Sequence, residues 1–214
     1  LGPGVTNPLT RHPAVTASAI ATVDDVSGGR AYLGIGTGDS AVHNLGLGPA
    51  RLETLREYVE AVRGLLATGE AVYQGRRARL AWHRKAIPIY VAAQGPRALR
   101  LAGQIGDGVI VQTGLTPEAV RESLAHVRAG AQAAGRDLKG LDIWWWALAN
   151  IRATREQARR EIRPFLAAIG KESVCGGKLG EYAQAAVEAR RRREAAEAER
   201  QPAERVHAAL AETL

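Results

Sequence analysis

The sequence predicts an α/β fold built on a parallel sheet, and three observations support that class. Apolar residues make up 46% of the 214 and charged residues 24%, as in ordinary globular domains. Short β-branched or apolar runs alternate along the chain with longer helical patterns, which is typical of βα units. Each predicted strand ends in a glycine-rich or polar loop that leads toward a helix. The length allows one domain, or two small ones at most.

Five strands and five helices are predicted along the chain. The strands are expected at Leu1–Val5, Ala31–Ile35, Ile87–Ala92, Gly108–Val111 and Leu141–Ala149. The helices are expected at Pro13–Val26, Leu52–Ala67, Arg97–Ile105, Pro117–Ala134 and Arg155–Ile169.

Proline, glycine and alternation mark several element boundaries. Pro13 and Pro117 stand in the first turn of a helix, where proline is tolerated because the missing N–H has no helical partner. Gly28 and Gly29 follow the first helix as a left-handed stop would. Polar and apolar residues alternate over 71–82, so a hairpin near residues 71–83 is expected as an insertion between βα units.

The last part of the chain differs in composition. Residues 176–214 contain Ala, Glu and Arg with few large apolar side chains, which predicts a helical extension to a domain of residues 1–175. The run Arg190–Arg193 is similar to a nucleic-acid-binding arm, but residues 184–205 hold six arginines and five glutamates. A solvent-exposed helix is therefore favoured over contact with nucleic acid.

The targeting signals and the cysteine content indicate in which cellular compartment the protein is expected. There is no run of 18 apolar residues and no signal peptide at Leu1, so no membrane partner is expected. The single cysteine, Cys175, cannot form an internal disulfide, which fits a reducing cytoplasm. Since the chain contains no methionine, Leu1 is not a translation start, and we expect a piece of a longer protein.

The formal charge of +7 is concentrated in one stretch. Residues 71–106 contain no acidic residue, and the remaining 22 basic residues of the chain balance its 22 acidic ones. The basic residues of the stretch are Arg76, Arg77, Arg79, Arg84, Lys85, Arg97 and Arg100. A local excess of this kind suits one anionic ligand better than a long polyanion.

Four glycine-rich or polar loops follow the predicted strands. They are Gly4–Pro8, Gly34–Ser40, Ala92–Pro96 and Val111–Gly114. In a parallel array all four emerge at the carboxyl ends of the strands, where barrels and open sheets bind ligands. Glycine lets backbone N–H groups approach a ligand closely, and the next helix N-terminus attracts negative charge. Each loop alone is also an ordinary turn, but together they predict a site for a phosphate and a flat ring.

Other chemistries find little support in the sequence. The spacing Gly36-x-Gly38-x-x-Ala41 partly matches the dinucleotide fingerprint, but residues 44–49 intervene where its helix should start, which disfavours a Rossmann fold. The five histidines form no His-x-x-x-His pair and there is no Cys-x-x-Cys, so no metal site is expected. The tryptophans at 144–146 are expected to alternate between the two faces of a strand, in preference to stacking on a ligand.

Several stretches resemble a known family. They are Gly4–Val15, Thr22–Asp39 and Ile87–Ile110, with a weaker match at Gly130–Asp137. Over about residues 1–150 the chain resembles the luciferase-like oxidoreductases, most closely the methylenetetrahydromethanopterin reductase branch, which uses the deazaflavin coenzyme F-420. The resemblance implies a (β/α)8 TIM barrel of the luciferase-like type, which typically needs ~250 residues. Only five strands are predicted, and the family normally has two βα units before this segment and a final unit after it. We therefore expect an incomplete barrel that is truncated at both ends.

The resemblance also implies an activity. It indicates an oxidoreductase that passes hydride between reduced F-420 and a small electrophile, such as methylenetetrahydromethanopterin. The first alternative is an FMN-dependent monooxygenase of the same family, because both cofactors are phosphorylated and phosphate loops do not distinguish them. The second is a non-catalytic barrel fragment. Relatives are commonly dimers, so we expect a homodimer that acts on a small molecule.

Particular residues receive roles from the resemblance. A non-prolyl cis peptide is expected at Gly4-Val5, where it would support the central ring of the deazaflavin. Asn7, Thr37 and Gly38 would contact the ring or the ribityl chain. Six residues would bind the phosphate, mainly through backbone amides: Ala93, Gln94, Gly95, Pro96, Thr113 and Gly114. The basic stretch at 71–106 fits a cofactor that also carries a polyglutamate tail.

Asp39 is the candidate catalytic residue. It stands where relatives carry an acidic residue near the reacting ring, and it would donate a proton or orient the substrate. The alternative is an aspartate that caps its own loop. Arg11 and His12 also match the family motif, and we expect them to tie their loop to the barrel.

Overall fold

The computed structural model describes residues 1–82, 85–147 and 149–172, with side chains as far as residue 165. The chain divides into two compact units, Leu1–Ala147 and Leu148–Leu214. The predicted extension at 176–214, its boundary at residue 175 and the run Arg190–Arg193 lie outside the described residues.

In chain order the elements of the described part are α1 (Pro13–Ser27), β1 (Leu33–Ile35), α2 (Ser40–His43), α3 (Leu52–Thr68), β2 (Glu70–Tyr73), β3 (Arg76–Arg79), β4 (Ile89–Ala93), α4 (Pro96–Ile105), β5 (Gly108–Val111), α5 (Pro117–Ala133), a 3-10 turn (Leu138–Gly140), β6 (Asp142–Trp145) and α6 (Arg155–Glu172).

A four-stranded parallel sheet is the framework of the first unit. Its strands lie side by side in the order β1, β4, β5, β6. Tyr90 in β4 is opposite both Gly34 in β1 and Gly108 in β5, and Gly108 is opposite Asp142 in β6. The spatial order follows the chain order without reversal, as in the wall of a (β/α) barrel and unlike a Rossmann sheet. The predicted parallel βα array is confirmed.

The predicted helices are confirmed, and their first residues explain where they begin. The ring of His12 accepts a hydrogen bond from the Ala14 N–H (3.2 Å), and Pro13 follows as the first residue of α1. The hydroxyl of Thr116 accepts from the Ala119 N–H (3.3 Å) at the start of α5. By contrast, α3 and α4 begin without a side-chain cap. Gly28 ends α1 at φ 66°, as the left-handed stop requires.

The hydrophobic core lies between one face of the sheet and the helices. From α3 it receives Leu55, Tyr58, Val59, Ala61, Val62, Leu65 and Leu66, and from the sheet Leu33, Ile35, Ile89, Val91, Ala93, Val109 and Val111. The spacing of the α3 residues keeps them on one side of a 3.6-residue helix. Burial of this apolar area is what holds the four strands and their helices together.

The predicted strand at Leu1–Val5 is wrong. The segment runs beside β1, with the Tyr32 N–H donating to the Leu1 carbonyl (2.9 Å), but it forms only an isolated bridge between Thr6 and Ile35. Pro3 has no N–H to donate, so a continuous ladder cannot form through it.

Other element boundaries also differ from the prediction. β6 covers Asp142–Trp145 instead of Leu141–Ala149, because β5 ends at Val111 and offers no partner strand further along. The short helix α2 starts directly after Asp39, so the expectation that no helix begins there is wrong. It is a single turn, which Asn44 terminates.

The predicted hairpin is confirmed as the antiparallel pair β2 and β3. Its two-residue turn, Gln74-Gly75, has φ of 49° and 73°, the left-handed values of a tight hairpin turn. The Tyr73 ring meets Tyr58 of α3 edge-on at 5.8 Å and His12 at 5.4 Å. His12 thus contacts the hairpin as well as capping α1, whereas the expectation was a tie between its loop and the barrel.

Helices α4 and α5 approach each other through glycine. A Cβ at Gly103 would overlap the Val127 carbonyl, and a Cβ at Gly130 would overlap the Arg100 carbonyl. The two backbones are therefore in direct contact, which no larger residue at these positions would permit.

The second unit is described over residues 149–172 and contains α6. Within it the Arg152 guanidinium donates to the Glu161 carboxylate (2.5 Å), and the Asn150 amide donates to the same group (3.3 Å). The hydrogen bond from Asn150 lowers the pKa of Glu161, and the hydrogen bond from Arg152 lowers it further.

None of the described helices is both long enough and apolar enough to cross a bilayer.

Candidate functional site

The candidate site lies at the carboxyl edge of the parallel sheet. Because β1, β4 and β5 run in the same direction, the loops that follow them leave the sheet on one side. These loops contain Thr37–Asp39, Gln94–Pro96 and Thr113–Gly114. The structure therefore brings three of the four predicted loops to one edge, and hydrogen bonds attach the fourth to β1.

The segment Gly4–Thr6 is held against the end of β1. The Thr6 N–H donates to the Gly34 carbonyl (2.9 Å), and the Gly36 N–H donates back to the Thr6 carbonyl (3.0 Å). The Gly4-Val5 peptide is cis, as the resemblance implies. The Val5 side chain covers the positions where Gly34 and Gly36 lack a Cβ, at 3.1 and 3.5 Å from the ideal Cβ sites.

Asn7 is buried, with 4% of its surface exposed. Its Oδ1 accepts hydrogen bonds from the Leu9 N–H (3.0 Å) and the Thr10 N–H (3.1 Å). This side chain therefore fixes the turn that follows Gly4–Thr6, a common role for asparagine in loops. Gly38 lies beside it, since a Cβ on Gly38 would be 3.3 Å from the Asn7 Cβ.

The loop after β1 presents Asp39 to solvent. The Asp39 side chain is 68% exposed, and its Oδ1 lies 3.5 Å from Nδ1 of His43. Its side chain makes no capping hydrogen bond to α2, although the Asp39 carbonyl accepts from the Val42 and His43 N–H groups. The capping alternative for this side chain therefore lacks the hydrogen bond that it requires. Gly38 precedes it with φ 101°, a conformation that favours glycine.

The loop after β4 joins that strand to α4. Gly95 is the residue before the helix, and it has no side chain to cap the first N–H groups of α4. The Gln94 amide donates to the side-chain oxygen of Gln112 (2.8 Å), across the ends of β4 and β5. The uncapped N-terminus is suited to an anion.

The loop after β5 is anchored at Thr113. Its hydroxyl shares a hydrogen bond with Ser123 of α5 (2.8 Å), and Ser123 is buried. Gly114 follows with φ 94°, and a Cβ placed on it would meet no atom within 4 Å. The backbone at Gly114 therefore borders open space.

Among the described residues, no group of three or more His, Cys, Asp or Glu side chains is arranged to hold a metal ion.

The amino-terminal half of the sheet holds a different polar group. The Tyr90 hydroxyl donates to Asp142 (2.7 Å), and the Trp144 indole N–H donates to the same carboxylate oxygen (2.8 Å). Burial, followed by the hydrogen bond to Asp142, raises the pKa of Tyr90 to about 12. The rings of Tyr90 and Trp144 are 4.3 Å apart, whereas Trp145 packs against the core. The predicted alternation of the tryptophans is confirmed for these two.

Sequence reasoning missed three residues that structure the site. Gln112 pairs with Gln94, Ser123 pairs with Thr113, and His43 faces Asp39. His43 is four residues after Asp39, a separation that places two side chains on one helix face once α2 is recognised. The other two pairs join different βα units, and no sequence signal indicates them.

The sequence is similar to one protein family and to several characterised relatives. The family of luciferase-like monooxygenases matches residues 1–214. A 5,10-methylenetetrahydromethanopterin reductase from Methanolobus tindarius is 39% identical over 158 residues, 71% of this chain and 48% of the relative. An F-420-dependent glucose-6-phosphate dehydrogenase from Nakamurella multipartita is 36% identical over 183 residues, 79% of this chain and 53% of the relative.

A solved structure is similar as well. The coenzyme F-420-dependent tetrahydromethanopterin reductase from Methanopyrus kandleri superimposes with a TM-score of 0.66 at 33% identity. The alignment covers 79% of this chain and 55% of that protein. The chain thus spans about half the length of the relatives that it matches.

Proposed function

The chain belongs to the luciferase-like monooxygenase family, and from that membership we propose that it is an oxidoreductase that binds coenzyme F-420. Its parallel βα units are part of a TIM barrel of this family's type. The reaction we propose is hydride transfer between reduced F-420 and a small electrophile of the methylenetetrahydromethanopterin class. The observation that carries the proposal is the meeting of four loops at the carboxyl edge of one sheet.

The residues present fit a phosphorylated, flat cofactor. Gly4 and Gly114 both border open space, since a Cβ on either would meet no atom within 4 Å. We propose that Gly4, Val5, Asn7, Thr37 and Gly38 contact the ring and its chain. The phosphate would bind at Ala93–Pro96 and Thr113–Gly114, where Gly95 leaves the N-terminus of α4 open to an anion.

The chemistry is divided between cofactor and protein. When bound, F-420 supplies the hydride donor or acceptor. The protein positions the reactants, and positioning contributes a large part of the rate in such reactions. We propose that the exposed Asp39 side chain donates a proton to the substrate or orients the substrate, with His43 3.5 Å away as its neighbour.

The first experiment is an equilibrium titration of the purified chain with F-420 and, separately, with FMN, followed by fluorescence quenching. The proposal predicts tighter binding of F-420 than of FMN. A preference for FMN would overturn it in favour of an oxygen-using monooxygenase. Binding of neither cofactor would instead support a non-catalytic barrel fragment.

A substitution at Gly95 tests the phosphate loop directly. Gly95 has φ −79°, so aspartate fits its backbone, and aspartate at this position is a favoured helix cap. Gly95→Asp should therefore keep or slightly raise stability while its charge repels the phosphate and abolishes cofactor binding. Gly140→Asp is the matched control, because it adds the same charge on the 3-10 turn, at a site where a Cβ meets no atom within 4 Å. Unchanged affinity in Gly95→Asp would remove this loop from the proposed site.

The setting of the activity is also proposed. We propose a cytoplasmic homodimer, from the single cysteine of the sequence and from its resemblance to dimeric relatives. Light scattering coupled to size-exclusion chromatography measures the oligomeric state. A monomer at micromolar concentration would contradict the dimer without affecting the cofactor proposal.

A further inference from the structure

A cleft of about 240 Å³ lies on the helix layer, between α3 and α4. It is lined by Leu52, Glu53, Arg56, Arg97, Arg100, Leu101 and Gln104. The four lining residues of α4 follow one another at the i, i+3, i+4 and i+7 spacing, so they share one face of that helix. The cleft is thus a groove between two neighbouring helices, and none of the residues proposed for the cofactor site lines it.

The cleft is positively charged. Three guanidinium groups and one carboxylate line it, which leaves an excess of two positive charges. Arg56 donates a hydrogen bond to the side chain of Gln104. Arg97 and Arg100 have no hydrogen-bond or ion-pair partner for their side chains within the described part of the chain. Guanidinium groups that line one cleft repel one another, and an anion bound between them would relieve that repulsion.

Helix stability does not explain why Arg97 lies where it does. It is the second residue of α4, a helix with no acidic residue in its first turn. A cation at this end opposes the helix dipole, whereas an acidic residue there is favourable. Helix α5 shows the favourable arrangement, with Thr116 as cap and Glu118 in the first turn.

We infer that this cleft binds a polyanion whose carboxylate or phosphate groups are spaced along a chain. Arg97 is two residues after Gly95, so the cleft continues from the loop at which we place the cofactor phosphate. One source of the polyanion rests on the proposed function, namely the polyglutamate tail of F-420. The other source is a separate polyphosphate with the same charge chemistry.

The test begins without the cofactor. Inorganic tripolyphosphate is titrated into the full chain by calorimetry at low salt, for the wild type, for the double variant Arg97→Gln/Arg100→Gln and for Arg128→Gln. Arg128 is an exposed arginine of α5 outside the cleft, so its variant controls for the loss of one positive charge elsewhere on the surface. The double variant should bind at least about tenfold more weakly, the loss expected for two charge-assisted contacts. Equal affinity in the double variant and the control would overturn the inference.

Two cofactor titrations then identify the source. If the cleft holds the tail, the double variant weakens binding of F-420 but not of F-420 from which the glutamyl residues have been removed. If neither form changes while tripolyphosphate binding is lost, the cleft serves a separate polyphosphate. Equal weakening of both forms would place the two arginines at the cofactor phosphate and overturn the existence of a separate site. Failure of F-420 to bind at all would contradict the proposed function, and the tripolyphosphate result would still stand.

Discussion

The two edges of the parallel sheet use their polar groups differently. At the amino-terminal edge, Asp107 accepts two hydrogen bonds from Arg63 (2.9 and 3.0 Å) and one from the Ile89 N–H (2.9 Å). Arg63 also donates to the Ile105 carbonyl (2.8 Å), so one pair of side chains connects α3, α4 and β4. The carboxyl edge instead has glycines, short polar side chains and an uncapped helix.

The polar groups at the amino-terminal edge stabilise the fold, whereas those at the carboxyl edge are available for binding. Charged side chains at the amino-terminal edge hold the elements in register, and the loops at the other edge keep backbone groups available to a ligand. Barrel enzymes generally place their sites at the carboxyl ends of the strands for this reason. Substitutions at the two edges should therefore change different measured quantities.

The largest expected effect is on turnover at the carboxyl edge. Asp39→Asn keeps the size of the side chain and removes its charge and its ability to transfer a proton. We expect kcat to fall about a hundredfold, as for the loss of a general acid or base, with little change in cofactor affinity. Steady-state kinetics and the cofactor titration measure the two quantities. Turnover equal to that of the wild type would end the catalytic role of Asp39.

The next largest effect is on stability at the amino-terminal edge. Asp107→Ala removes three hydrogen bonds and leaves Arg63 without its carboxylate partner. We expect the free energy of unfolding to fall by about 2 kcal/mol, a value discounted because both side chains are partly exposed. Urea denaturation measures it, with Glu60→Ala on the exposed face of α3 as the control. A loss of cofactor affinity in a folded Asp107→Ala protein would break the proposed division between the edges.

A smaller effect is expected at the glutamine pair. Gln112→Ala leaves the Gln94 amide without its partner, so the loop after β4 loses one of its restraints. Cofactor affinity should fall about fivefold, which corresponds to one neutral hydrogen bond of ~1 kcal/mol. Gln132→Ala, on α5, serves as the matched control. An unchanged Kd in Gln112→Ala would show that the pair does not position the loop.

The effect that is smallest at neutral pH is expected at Tyr90, where it appears as a pH dependence. Its pKa of about 12 lies above the ordinary value near 10, so between these pH values the native state retains a proton that the unfolded state has lost. The wild type should therefore lose stability as the pH rises from about 10 to about 12. Tyr90→Phe has no such proton, and its unfolding free energy should fall less steeply over that range. Parallel slopes for the two proteins in chemical denaturation would contradict this assignment.

Local signals in the sequence predicted most of the helices but not the long-range pairs. Pro13, Pro117 and Gly28 act through the backbone of their own neighbours, so their effect is visible in sequence. The strand predicted at Leu1–Val5 failed although a local signal against it was present, because Pro3 cannot donate to a ladder. The pairing of Gln94 with Gln112 depends on strand register, which the sequence of either loop does not determine.

The positions of the charged side chains in space could not be predicted from the sequence either. The basic residues of 71–106 form one group in the sequence, but the structure distributes them. Arg79 pairs with Glu70 in the hairpin (3.1 Å) and Lys85 pairs with Asp24 (3.1 Å), whereas Arg97 and Arg100 join Arg56 from another helix. The composition could therefore indicate an anionic ligand, but it could not show that α3 supplies the third arginine.

The glycine contact between α4 and α5 has a consequence for how ligands associate. Gly103 and Gly130 bring the two backbones together without intervening side chains, so α4 cannot slide or rotate without displacing α5. The turn at Gly95, where we place the cofactor phosphate, and the two arginines of the cleft that follow it on α4 thus belong to one rigid block. Binding there should cost little backbone conformational entropy, and association should proceed in a single step without a slow rearrangement phase.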